Sequence, residues 1–127
     1  MTAKAGAIIQ RLEASLTPLG AFRSRAMFGG HGLYLDDQMF GLIAYDTLYL
    51  KTDEENRDDF IRAKSKPFSF ESARKGLVTT SYWQCPVDAL KDARKLRRWI
   101  GKAHEAARRV KAAKPKRKVR KPKGFPF

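Results

Sequence analysis

Residues 32–55, GLYLDDQMFGLIAYDTLYLKTDEE, carry the reading on which the fold turns. Gly32 to Leu35, Met39 to Tyr45 and Thr47 to Thr52 are short runs rich in aromatic and aliphatic residues, parted by Asp36-Asp37-Gln38 and by the surroundings of Asp46. Such runs predict three strands. Connections this short allow only antiparallel hairpins, because a parallel crossover needs a dozen residues or more. At Thr52 the pattern changes. Thr52-Asp53-Glu54-Glu55 has the S/T-x-x-E form, in which a hydroxyl and a glutamate satisfy the free amides at a helix start. It predicts a helix to about Lys64, whose acidic first turn and basic end (Arg62, Lys64) suit the helix dipole. The acidic cluster is thus explained without catalysis.

The same logic extends outward in both directions. Pro67 to Glu71 and Leu77 to Gln84 alternate like strands around a turn at Arg74-Lys75-Gly76, which predicts a second hairpin. Upstream, Ile9, Leu12, Leu16 and Leu19 recur at helical spacing and predict a helix over 5–17, closed by Pro18 and Gly20. Downstream, Pro86 opens a short helical turn and Asp92 begins a long helix to about Ala113. In that helix Leu96, Trp99, Ile100, Ala103, Ala107 and Val110 fall in a sector of roughly 100°. Lys91, Arg94, Lys95, Arg98, Lys102 and Arg109 gather opposite. The expected fold is α+β: helix, three strands, helix, two strands, long C-terminal helix, with a five-stranded, mainly antiparallel sheet over residues 1–113. Residues 114–127, KPKRKVRKPKGFPF, combine seven basic residues and three prolines with no acid, and predict a disordered basic tail.

At 127 residues the chain suits one core. No apolar run approaches the ~20 residues of a membrane span, and Arg11 and Glu13 interrupt the segment where a signal peptide would be apolar. A soluble, cytoplasmic protein is expected. One cysteine, Cys85, excludes an intramolecular disulfide and reads as a small buried side chain. The net charge of +14 is informative through its location. Residues 1–90 balance to zero, whereas 91–127 hold 16 basic residues and 2 acidic ones, Asp92 and Glu105. A polyanion is therefore the expected partner of the C-terminal end.

Several spaced motifs, in order, point to a family. They are Arg25-Ala26-Met27-Phe28-Gly29-Gly30-His31-Gly32-Leu33-Tyr34, then Phe40, Leu48-Tyr49-Leu50-Lys51-Thr52-Asp53, Phe60, Pro67-Phe68-Ser69-Phe70, Tyr82, Pro86, and Leu96 with Trp99. Across roughly residues 20–105 the chain resembles the N-terminal domain of the TfoX/Sxy family of bacterial competence regulators. The resemblance implies a five-stranded, mainly antiparallel sheet flanked by helices, and a group tied to transcriptional control of DNA uptake through the cyclic-AMP receptor protein. It supplies no catalytic residues. This chain departs in having Tyr82-Trp83 where members show paired tyrosines, and Lys64-Ser65-Lys66 where they carry a glycine. A lysine-rich tail also stands where the full-length regulators have a second, helical domain.

Candidate sites are read against plainer roles. The GGHG segment matches neither phosphate-loop pattern and leads into a strand rather than a helix, so its glycines read as turn and packing devices. A weaker variant makes Arg25 with the Gly29 and Gly30 amides a small anion site. His31 lacks an obvious triad, two histidines and one cysteine fit no metal spacing, and Asp36-Asp37 reads as turn chemistry. No metal or cofactor is implied, and no enzyme activity. Tyr34, Tyr49, Phe68, Phe70, Tyr82 and Trp83 could stack bases of a single strand, although most read as core. The sharpest signal is basic: Arg98, Lys102, Arg109, Lys114, Lys116, Arg117, Lys118, Arg120, Lys121 and Lys123 are expected to hold DNA, or RNA, through phosphates without base readout. A non-enzymatic, nucleoid-associated regulator is the leading expectation. The alternative is a protein-interaction module that recruits a transcription factor, its tail serving only solubility, and a small enzyme of unknown reaction comes third.

Overall fold

A computed structural model of the chain describes residues 3–27 and 30–113, so the expected basic tail lies outside the described residues. Helix α1 (Ala3–Leu16) leads into strands β1 (Phe22–Met27), β2 (Gly30–Leu35), β3 (Gln38–Ala44) and β4 (Thr47–Lys51). Helix α2 (Arg57–Arg62), strands β5 (Pro67–Ser72) and β6 (Gly76–Gln84), a 3-10 turn (Val87–Lys91) and helix α3 (Ala93–Ala113) follow. The strands form one antiparallel sheet in the order β1-β2-β3-β4-β6-β5.

The sheet has six strands and not five. The additional one, β1, pairs along its whole length with β2, from Phe22↔Leu35 to Met27↔Gly30. Its sequence, FRSRAM, carries little apolar signal because it is an edge strand whose residues from Arg23 to Ala26 are exposed. The two tight hairpins follow the reading above. Asp36 and Asp37 at φ 50° and 64°, and Tyr45 and Asp46 at 50° and 59°, give each two-residue loop the left-handed backbone of a type I′ turn. Asp36 also anchors the end of α1's exit loop: its Oδ1 accepts from the Ala21 amide at 2.9 Å, and its own amide donates to the Ala21 carbonyl at 2.8 Å.

The Thr52 cap is corrected. Thr52 is buried, and its Oγ1 donates to the Ser81 carbonyl at 2.8 Å, extending the sheet. Asp53 caps the turn that leads into α2, its Oδ1 accepting from the Glu55 and Asn56 amides at 3.0 and 3.2 Å, while the helix itself begins after Asn56 with no side-chain cap. The helix accordingly starts later and ends earlier than its motif suggests. At α3 the expectation holds, with Asp92 Oδ1 accepting from the Arg94 amide at 2.9 Å.

All helical packing falls on one side of the sheet. Ile8, Leu12 and Leu16 of α1, Phe60 of α2 and Leu96, Ile100 and Ala103 of α3 meet Leu33, Leu35, Phe40, Ile43, Leu48 and Leu50. Phe60 and Trp99 meet edge-on at 4.8 Å between ring centroids. A β-bulge in the β2–β3 ladder lets both Phe40 and Gly41 turn toward this side. The opposite side carries a second, smaller cluster of Leu42, Ala44, Phe68 and Tyr82, with Met39, Tyr49 and Phe70 packed against it. Every member belongs to a strand, so no helix contributes to it among the described residues.

Gly30 shows why the glycine-rich segment cannot carry side chains freely. A Cβ there would stand 2.2 Å from the Ile43 carbonyl oxygen, a contact with rigid backbone. Gly30→Ala should cost about 2 kcal/mol or more, read as a lower midpoint in urea unfolding at unchanged slope.

Candidate nucleic-acid interface

The candidate interface begins with the charges of α3, whose 21 residues place cations on every side except the packed one. Which of them face solvent unengaged is decided by the loop before α2. Arg109 meets the carboxylate of Asp53 in a two-pronged contact, Nε to Oδ2 at 2.5 Å and Nη2 to Oδ1 at 3.0 Å, and also reaches Glu55 Oε2 at 2.8 Å. Lys102 Nζ donates to Asp59 Oδ2 at 2.9 Å, while Arg62 pairs with the other oxygen of Asp59. Asn56, buried beneath them, donates through Nδ2 to the Lys51 carbonyl at 3.1 Å and the Lys102 carbonyl at 3.5 Å. Near the helix start, Lys95 Nζ pairs with Asp88 Oδ2 at 3.2 Å.

These contacts divide the expected site. Lys102 and Arg109 spend their charge inside the domain, whereas Arg98 is exposed and has no ion-pair partner among the described residues. At 100° per residue Arg98 belongs with Arg94, Arg97 and Arg108, a stripe about 21 Å long on the solvent side, where Glu105 is the one acid. Arg97 and Arg108 escape the sequence reading because the helical face alone does not say which cations the acidic loop captures. Their signal was the absence of acids at i±3 and i±4 on that side apart from Glu105. Lys114, Lys116, Arg117, Lys118, Arg120, Lys121 and Lys123 lie outside the described residues.

The weaker anion candidate is rearranged. The space that a side chain of Gly30 would fill is taken by the Ile43 carbonyl, an acceptor that repels anions, and Gly29 lies outside the described residues. Arg25 instead shares a shallow cleft of about 250 Å³ with Arg23, Ser24 and Tyr34. Arg23 is held to Asp37 by a 2.6 Å contact.

Catalytic arrangements do not assemble among the described residues. His31 Nδ1 is buried without a hydrogen-bond partner, so that nitrogen has no carboxylate or carbonyl to set it up as part of a triad. His104 is structural, its Nε2 lying 3.0 Å from the Leu35 carbonyl and tying α3 to the end of β2. Burial, with a smaller contribution from Asp88, pushes the Cys85 thiol up to about 12. No group of three or more His, Cys, Asp or Glu residues stands close enough to hold a metal among the described residues. Nor is any helix of the described residues long and apolar enough to cross a membrane.

The electrostatics of the acidic loop have a definite sign. Asp53 is held below the usual carboxylate range, first by its hydrogen bond from Arg109 and further by the backbone amides of Asn56 and Glu55, against an opposing effect of burial. Asp59 is lowered chiefly by its hydrogen bond from Lys102. A carboxyl depressed by folding contributes stability above its unfolded value near 4, and loses it as pH falls through the folded value. Asp53→Ala should therefore destabilise by about 2 kcal/mol near neutrality, through a lost cap and lost charge-assisted bonds. The gap from the parent should shrink progressively below about pH 5, as measured by urea unfolding across pH. A second expectation concerns Cys85: iodoacetamide at mildly alkaline pH should leave the folded protein unmodified and alkylate it once unfolded, as read by mass spectrometry.

No curated protein matches the chain. The family model described as the TfoX N-terminal domain matches residues 14–107, a span from the end of α1 through the whole sheet to Ala107 within α3. That span includes the loop before α2, Lys102 of its two captured cations and both faces of the sheet, and the chain belongs to the TfoX N-terminal domain family, a competence-related regulatory family.

Proposed function

We propose that this protein acts in regulation by binding nucleic-acid phosphates without reading base sequence, through the outward arginines of α3 and the basic segment that follows them. The carrying observation is the division of α3's cations. Lys95, Lys102 and Arg109 are matched by Asp88, Asp59, Asp53 and Glu55, while Arg94, Arg98 and Arg108 are exposed and Arg97 is half-buried beside α1, all four without an ion-pair partner among the described residues. A guanidinium left unmatched can form the forked pair of hydrogen bonds that phosphate accepts. The stripe also runs straight toward residues 114–127, whose seven cations extend the positive potential. Phosphate contacts of this kind position a protein on a duplex and carry no base information. Association with the nucleoid in the cytoplasm is the location this activity implies.

The test is titration of the full chain against a mixed-sequence duplex. With about six to ten phosphates engaged, affinity should fall roughly 10³-fold or more between about 50 and 200 mM salt. Arg98→Gln should weaken binding evenly across sequences and lower the salt slope by about 1, and Lys102→Gln should leave that slope unchanged. Ending the chain after Ala113 should remove most of the remaining slope. Salt-independent binding, or equal effects of Arg98→Gln and Lys102→Gln, would refute this assignment of the cations.

A further inference from the structure

The side of the sheet that no helix covers offers a different chemistry. Its registers align Arg25, Gly32, Leu42, Tyr49 and Gln84 in one row across β1, β2, β3, β4 and β6. Beside it run Arg23, Tyr34 and Met39. From β1 to β4 the first row spans about 14 Å at the usual strand spacing. In the first row Gly32 puts no side chain between Arg25 and Leu42, and Arg23, Ser24, Arg25 and Tyr34 line a cleft of about 250 Å³. Lys51 adds a third cation, its Nζ 5.0 Å from the centre of the Tyr82 ring. Strands β1 to β4 contain no acidic residue, and of the carboxylates in their turns Asp37 is engaged by Arg23 at 2.6 Å, which leaves Arg25 as the cation of these rows without an ion-pair partner among the described residues.

Tyr45 is the second, independent observation. It occupies the first loop position of the β3–β4 hairpin at φ 50°, where asparagine or glycine is favoured and a bulky side chain is strained. Core packing does not explain the choice, because 84% of Tyr45 is exposed. The ring instead extends the uncovered cluster, 6.5 Å from Phe68, which in turn lies 5.0 Å from Tyr49. A strained residue kept outside the core points to function.

We propose that this helix-free face binds single-stranded nucleic acid, with Arg25 holding a phosphate and Tyr34, Tyr45 and Tyr49 presenting rings for bases to stack on. The chemistry fits that ligand: single strands are held by cations tracking the backbone while aromatic rings stack on bases, with little sequence preference. A duplex presents no free base faces, so this site differs in ligand from the arginine stripe on α3. An acidic polypeptide would satisfy Arg25 and leave the strained, outward Tyr45 unexplained.

Oligothymidylate and oligouridylate of about 12 nucleotides test the proposal with the full chain, at about 300 mM salt, where phosphate-only binding is weak. Tyr45→Asn should weaken binding of both by about tenfold or more, leave duplex binding at low salt unchanged, and raise the melting temperature by a few degrees, roughly, through relief of the turn. Arg98→Gln should do the reverse, weakening the duplex alone. Trp83 and Trp99 both pack on the helix side, so native tryptophan emission is blind to this face. A Tyr34→Trp variant should therefore gain an emission quenched by either oligonucleotide, with DNA and RNA separated by which quenches at lower concentration. Undiminished binding by Tyr45→Asn, or unquenched emission at saturation, would overturn the proposal. So would polyglutamate binding that Tyr45→Asn weakens as much as oligothymidylate, since that result assigns the face to an acidic protein.

Discussion

The Asp53 carboxylate accepts from two backbone amides and from both prongs of Arg109, and the distribution of charge over the whole domain depends on that knot. Its side chain is only 13% exposed, and a carboxylate so enclosed persists as an anion only if its oxygens are matched. The two amides begin α2, the guanidinium binds α3, and Asn56 beneath them bridges the same two regions through backbone carbonyls. With Asp59 drawing in Lys102, one flank of α3 is neutralised against its neighbour. Arg94, Arg98 and Arg108 stay exposed, with no ion-pair partner among the described residues.

The sheet depends on a comparable division between its faces. One side is buried by α1, α2 and α3 over a continuous apolar core, and the bulge at Phe40 supplies that core with a large ring which strict alternation would send to the other side. Among the described residues the opposite side is closed by strand side chains, with Phe68 and Tyr82 buried and Met39, Tyr49 and Phe70 packed against them. A sheet surface built in this way remains available to a ligand. Tyr45 at its rim accepts backbone strain that Asn would remove, and the buried core gains nothing in return.

Much of this was legible in the sequence. The Asp36-Asp37 and Tyr45-Asp46 loops are too short for anything but hairpins, and the 3.6-residue spacing of Leu96, Ile100 and Ala103 marks the packed side of α3 unambiguously. Strand β1 was not legible, because the large apolar residues of FRSRAM stand only at its two ends, Phe22 and Met27, and it owes its extended form to pairing with β2. Thr52 illustrates a motif overridden by its surroundings. The S/T-x-x-E pattern is present, yet the hydroxyl serves Ser81, 29 residues away along the chain, and Asp53 caps the turn ahead of the helix.

By itself the sequence determined the local things: which segments alternate, where hairpins must close, which helix face is apolar, and that the positive charge belongs to the C-terminal end. Those properties follow from neighbours in the chain, through backbone geometry and periodicity. Tertiary structure alone decided which cations are spent and which are free, and which side of the sheet stays uncovered. Asp53 and Arg109 are 56 positions apart, and Asp59 and Lys102 are 43 apart, so no local pattern could pair them. Packing α2 beside α3 brought those charges within hydrogen-bond reach, and desolvation there made their pairing obligatory.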